Sequence, residues 1–179
     1  MPAVMRGTGH TCAPAAYDGH YARFINDKVV HAEMNIVTNP LSNRMLQGRE
    51  DKQPIQRRIT RVKELLAAGV NVTIGEDNLN DMFNPLGDAN MLLTANILTH
   101  AAQMTLPREI ETVYDMITFG AARVLGLADY GIREGNPANL VVLNARDVRT
   151  ALRQLSECLY VIRNGRVVSE TSVSRRLSL

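Results

Sequence analysis

Residues 71–87 read NVTIGEDNLNDMFNPLG, and their reading decides the fold. Val72 and Ile74 alternate on one face of a short strand, which runs through Gly75 into Glu76, Asp77 and Asn78. Asp81, Phe83 and a Pro85-Leu86-Gly87 turn follow. An apolar strand that ends in acidic and amide side chains is the pattern of a parallel sheet with chemistry at its carboxyl end. Asp77 is therefore a candidate functional residue, because an acid that follows a buried strand needs a partner or solvent.

Working backwards, ITRVKELLAAG predicts a helix from about residue 60 to 68, with Thr60 as a possible cap and Gly69 as the stop. A polar loop with Gln47, Gly48, Arg49 and Pro54 precedes it, and MNIVTNP before that predicts a strand stopped by Pro40. AAYDGHYARFINDKVVHAE carries Tyr17, Tyr21, Phe24, Ile25 and Val29 at helical spacing. The opening MPAVMRGTGH predicts a short buried strand that ends at His10 and is read as carrying no secretory leader. Three strand–loop–helix repetitions predict parallel strands joined by right-handed crossovers.

Working forwards, ANMLLTANILTHAAQM and PREIETVYDMITFGAARVLGL predict two longer helices. The style then changes. GNPANLVVLN predicts a strand, DVRTALRQ a helix, and CLYVIRNGRVVSE two strands around the tight turn Asn164-Gly165. The final TSVSRRLSL has no usable period.

The chain has 179 residues, 45% hydrophobic and 21% charged, which suits a globular protein with a sizeable core rather than disorder. Twenty basic and 18 acidic residues leave a net charge of +2, and only three Phe and five Tyr make up the aromatics. That balance gives no footprint for nucleic acid. The longest apolar run is far short of a bilayer span, so no membrane role is expected. Cys12 and Cys158 lie far apart with no CxxC, which suits a reducing cytoplasm.

His10 and Asp77 end two strands of one predicted sheet, where they could share a metal or an activated water, although a lone His beside small residues also reads as a satisfied core or loop histidine. His20, His31 and His100 fall on predicted helices and read as surface or packing residues. Lys63 and Glu64 read as a solvated helix face, and Arg57, Arg58 and Arg61 as a solvated edge. Cys12 has no recognisable base and reads as a small buried residue. A catalytic zinc or iron needs about three protein ligands, whereas His10 and Asp77 make two, and the chain has no HxH or HExxH.

The segments GHTCAPAAYDGHYARF, NPLSNRMLQGREDKQP, RRITRVKELLAAGVNV, GEDNLNDMFNPLGDANML and ITFGAARVLGLADYGIREGNPANLVVLN follow one another in order over nearly the whole chain. Together they resemble the C-terminal part of the bacterial-type cytosine deaminases, members of the metal-dependent amidohydrolase superfamily. The resemblance implies the last three strands, six to eight, of a (β/α)8 barrel over residues 1–126, plus the C-terminal share of a small composite β-sandwich over residues 127–179. By resemblance, His10 matches the histidine that holds the attacking water, and Asp77 matches the aspartate that ligates the metal and handles the water's proton. Asn78 and Phe83 match positions that line the substrate pocket.

The resemblance further implies one divalent ion, iron or zinc, in the complete enzyme, and a cytoplasmic hydrolase that releases ammonia from cytosine or a similar amino-substituted ring. Glu76 stands where cytosine deaminases commonly carry His. The Asp77-Asn78 pair is similar to relatives that act on s-triazine rings. The HxH, the third histidine and the proton-shuttling glutamate of these enzymes have no counterpart here. The chain is therefore expected to be truncated, to bind no metal alone and to be inactive alone. The alternatives are a non-catalytic fragment, a subunit that completes a barrel with another chain, or a triazine-type amidohydrolase. The expected partners besides the small ring amine are a second copy of the chain in a homo-oligomer or a complementing N-terminal half.

Overall fold

Two three-stranded sheets organise the computed structural model, which describes residues 6–178. In the first sheet β1 (Gly7–Gly9), β2 (Asn35–Thr38) and β3 (Val72–Ile74) are parallel in the order β1-β2-β3. The second sheet is an antiparallel meander of β4 (Leu140–Leu143), β5 (Cys158–Arg163) and β6 (Arg166–Glu170). Its β5–β6 turn uses Asn164 and Gly165 at φ 48° and 75°, as the Asn-Gly pair predicts. Of the predicted opening strand, residues 2–5 lie outside the described residues. The remaining part is an exposed edge strand rather than a buried one, because among the described residues only β2 pairs with it.

Helix α1 (Gly19–His31) begins where the Asp18 carboxylate accepts the backbone N–H groups of His20 and Tyr21, each at 2.9 Å. Its apolar spacing misleads. Tyr21 and Phe24 are exposed and stack on each other, whereas Ala22 and Asn26 are the residues it buries. Pro40 does not simply stop β2. It opens α2 (Pro40–Leu46), since a missing N–H costs nothing in the first helical turn. The predicted helix at 60–68 is shorter, α3 (Val62–Ala67), and Thr60 does not cap it. Gly69, at φ 83°, does follow it as the stop.

The next helices are α4 (Met91–Ala101), capped by Asn90, and α5 (Pro107–Ile117), where Glu109 returns to the Leu106 N–H. The predicted second long helix breaks at Thr118 and resumes as α6 (Phe119–Val124). Helix α7 (Val148–Gln154), capped by Asp147, packs on α4 and α5, so Leu152 joins the same core as Ile36, Val72, Leu98 and Val113. On the sheet face opposite Val72 and Ile74, the Thr73 hydroxyl is buried and donates to the Met116 carbonyl of α5. Among the described residues no helix is long and apolar enough to cross a membrane.

Two of the three clustered arginines, Arg57 and Arg61, make structural contacts rather than forming a merely solvated edge. Arg61 donates to the carbonyls of Pro14 and Tyr17 at 2.8 Å each, and Arg57 donates to those of Gln47 and Gly48. Lys63 reaches Glu109 on α5 at 2.9 Å, so the α3 pair is not merely solvated either. These contacts anchor the loops flanking β1 and β2.

Candidate functional site

Because β1, β2 and β3 are parallel, the residues that follow them share one end of the sheet: His10 and Thr11, then Asn39, then Gly75 to Asn78. The structure brings His10 and Asp77 together there, with Nε2 and Oδ1 3.7 Å apart and side chains 50% and 27% exposed. Both residues have left-handed backbone, φ 65° and 74°, a region non-glycine residues rarely occupy. Three polar contacts hold His10. Its N–H donates to the Val37 carbonyl at 2.9 Å, its carbonyl accepts from the buried Thr60 hydroxyl, and its Nδ1 lies 2.8 Å from Asn43 Oδ1. Thr60 also shares a 2.8 Å hydrogen bond with Thr38 and one of 3.2 Å with Thr11, which ties the end of β2 to the loop after β1.

Asn78 and Phe83 sit on a loop whose hub is Asp81. The Asp81 carboxylate accepts from the Asn78 side chain at 2.7 Å and from the backbone N–H groups of Phe83 and Asn84 at 2.8 and 2.9 Å. Those bonds, the one from Asn78 foremost, hold its pKa below the ordinary carboxylate value. The other end of the Asn78 amide accepts from Ser42 at 3.0 Å. Asn78 thus organises the loop, with one N–H of its amide and one lone pair left over. Phe83 is 46% exposed and presents its ring, as do the side chains of its neighbours Met82 and Leu86.

Glu76 turns away from the Asp77 side, because its carboxylate accepts from Thr94 on α4. Cys12 donates its S–H to the His10 carbonyl at 3.4 Å, and partial burial pushes its thiol pKa up, so it is no activated nucleophile. His20, His31 and His100 lie exposed on α1 and α4, as their spacing predicts. A cavity of about 660 Å³ between α1 and α3, walled by His20, Phe24 and Glu64, involves neither His10 nor Asp77.

Residues that the sequence does not mark also belong to this end of the sheet. Among the described residues, four buried side-chain polar atoms lack a partner, and three of them belong to Asn39, Asn43 and Glu76, directly after β2 and β3. Orphaned buried polar atoms are rare and concentrate where function overrides stability. The sequence cue for Asn39 and Asn43 is the polar spacing within NPLSN, residues that a helix start does not need to bury.

What these residues can hold is limited. An Asp carboxylate is a competent ligand for a divalent ion, yet the described residues contain no group of three His, Cys, Asp or Glu side chains fit to hold one. Alone they do not complete a catalytic metal site.

Three similarities bear on this geometry. A 5-methylcytosine deaminase from Klebsiella pneumoniae, solved with 5-fluorocytosine, superposes with a TM-score of 0.91 at 34% identity, covering 96% of this chain and 42% of that one. A pterin deaminase from Rhizobium rhizogenes is 32% identical over 166 residues, 91% of this chain and 37% of its own length. An N-isopropylammelide isopropyl amidohydrolase from Pseudomonas sp. (strain ADP) is 37% identical over 113 residues, 63% of this chain and 28% of its own. The chain thus spans about two fifths or less of the length of each. The amidohydrolase family itself is matched from residue 3 to residue 169, and the chain belongs to that family.

Proposed function

We propose that the chain contributes His10 and Asp77 to the site of a hydrolytic deaminase acting on a cyclic amidine, an amino-substituted nitrogen ring of the cytosine or s-triazine type. The observation that carries the reading is the 3.7 Å approach of His10 Nε2 to Asp77 Oδ1 at the carboxyl end of a parallel sheet. Two facing acceptors at that spacing suit one water that donates to both at about 2.8 Å. The relatives support the substrate class, since 5-methylcytosine and pterin are both amino-bearing nitrogen rings.

The chemistry asked of these residues is proton handling. The held water attacks the ring carbon that bears the amino group, while Asp77 accepts a proton from it. A C–O bond forms as the ring C=N pair moves onto the ring nitrogen. The pair returns as the C–N bond to the amino group breaks, and the amine leaves as ammonia with the proton that Asp77 accepted. His10 keeps the water oriented. Phe83 offers stacking area to the ring, and the free N–H of Asn78 offers a hydrogen bond to it. A divalent ion, if bound, would supply acidification of water, with Asp77 as one of its ligands.

The ligand count favours a dependent chain over a self-sufficient one. With two candidate donors where about three are needed, the chain is expected to release no ammonia by itself. It is expected to do so when combined with a barrel portion that carries an HxH pair, a further histidine and a glutamate. Purified chain, with and without such a portion, is assayed for ammonia from cytosine, isocytosine and amino-triazines, together with the Asp77→Ala variant. The assembly turns over and Asp77→Ala abolishes it. An assembly without turnover, or one indifferent to Asp77→Ala, overturns the reading.

A further inference from the structure

We propose that Asn43 is a positioning residue that sets the tautomer of His10, keeping the proton on Nδ1 and the lone pair of Nε2 towards Asp77. The role of that lone pair in holding water rests on the deaminase reading, whereas the tautomer does not. Asn43 lies on α2, 33 positions from His10, and is only 4% exposed. Its Oδ1 lies 2.8 Å from His10 Nδ1, and its Nδ2 has no partner. A neutral imidazole carries one proton, so an acceptor fixed at Nδ1 makes Nε2 the acceptor.

The reverse amide orientation would donate Nδ2–H to Nδ1 and move the ring proton to Nε2. Nε2–H would then face Asp77 Oδ1 at 3.7 Å, on a ring that is half exposed to water. That exceeds the 2.7–3.2 Å of an N–H···O hydrogen bond, so the direct bond that would reward this tautomer is not formed. Two acceptors drawn back to 3.7 Å instead fit a shared donor. The rest of the ring's setting is rigid, since the backbone of His10 is bonded on both sides, to Val37 and to Thr60. Asn43 sits at the start of α2, which Pro40 fixes directly after β2. The amide therefore acts as an outer-sphere support whose whole effect is exerted through the histidine.

The test reads the ring directly. The 179-residue protein labelled with 15N-histidine is examined at a pH where imidazole is neutral, in solution or by magic-angle spinning, which tolerates any state of association. His10 is assigned with His10→Gln. The expected wild-type spectrum shows a protonated, pyrrole-type Nδ1 and a pyridine-type Nε2. Asn43→Asp, which keeps an acceptor, retains that pattern. Asn43→Leu, of similar size with no acceptor, shifts His10 towards the Nε2–H form that a free imidazole prefers. A pyrrole-type Nε2 in the wild type overturns the proposal, as does an unchanged pattern in a folded Asn43→Leu. Should Asn43→Leu fail to fold, the wild-type and Asn43→Asp spectra decide. Ammonia release plays no part in these readouts, so failure of the deaminase reading leaves them intact.

Discussion

Gly75→Ala is the substitution that most directly tests how the end of the sheet is built. Gly75 follows β3 and donates its N–H to the Thr38 carbonyl at 2.9 Å. A Cβ there would lie 2.4 Å from Asn39 Oδ1 and 2.9 Å from Val37 Cγ1. The first contact is about 1 Å short of ordinary packing distance. Asn39 has little room to retreat, because it is buried. Relief must come from the backbone that carries Asp77, two residues on. Overpacking of this kind costs about 1–3 kcal/mol. At roughly 2–4 °C per kcal/mol for a chain of this length, the thermal midpoint falls by about 2–12 °C. Gly19→Ala is the matched control. It starts α1, meets only Arg23 Nη1 at 3.5 Å, and replaces Gly by a better helix former, so its midpoint stays or rises. Melting is followed by circular dichroism at 222 nm. A Gly75→Ala midpoint equal to that of the wild type would show that Asn39 is not wedged against β3, and the account of this end of the sheet would be wrong.

Three more perturbations probe the loop and the support of His10. The Asp81 pKa is depressed in the folded state, so its contribution is complete above the ordinary carboxylate value of about 3.9 and is lost as pH falls through the lower folded value. The amide signals of Phe83 and Asn84 should titrate together with a midpoint below about 3.9, and a midpoint at or above it would contradict the hub role. In an active assembly Phe83→Ala should raise KM about 2–12-fold, the worth of an aromatic contact of 0.5–1.5 kcal/mol, while stability barely moves, because the ring is half exposed. An unchanged KM removes Phe83 from the site. Thr60→Val keeps the shape but leaves the His10 carbonyl with only the weak S–H donor of Cys12, at a cost of about 1–3 kcal/mol. Urea unfolding reads this as a lower midpoint, and an unshifted midpoint refutes it.

The parallel sheet and its chemical end are legible because periodicity and strand-tip composition are local signals. Val72 and Ile74, His10 and Asp77, and the Asn164-Gly165 hairpin all announce themselves within a few residues. What escapes is set by tertiary partners. Pro40 reads as a stop in a linear pass, yet the same ring opens α2 once Asn39 is buried before it. Thr60 carries a cap signature, but its hydroxyl is claimed by His10 and Thr38 from 50 and 22 residues away. Tyr21 and Phe24 hold helical spacing yet face outwards, because the sheet side of α1 takes the small Ala22 instead. Asn43 is invisible as a support for His10, because nothing in NPLSN points 33 positions upstream.

Backbone strain falls on both strand-tip residues, and the loops around them carry it too, at Thr11, Asn80 and Ala89. Glu33, Gln103 and Leu155 also have positive φ, but each ends a helix, and Asn164 lies in a hairpin turn, where that conformation is routine. His10 and Asp77 instead follow parallel strands, with no helix terminus to reward the conformation. A left-handed conformation costs a non-glycine residue about 1–2 kcal/mol, which glycine would escape. Glycine is available to this sheet end, since Gly9 and Gly75 stand one and two positions before His10 and Asp77. Strain that a glycine would relieve fits the proposed use of these two side chains. Here the strain falls on an imidazole and a carboxylate that the fold turns towards each other across the end of the sheet. A core that needed only turns at these points would have no reason to place a titratable group at either.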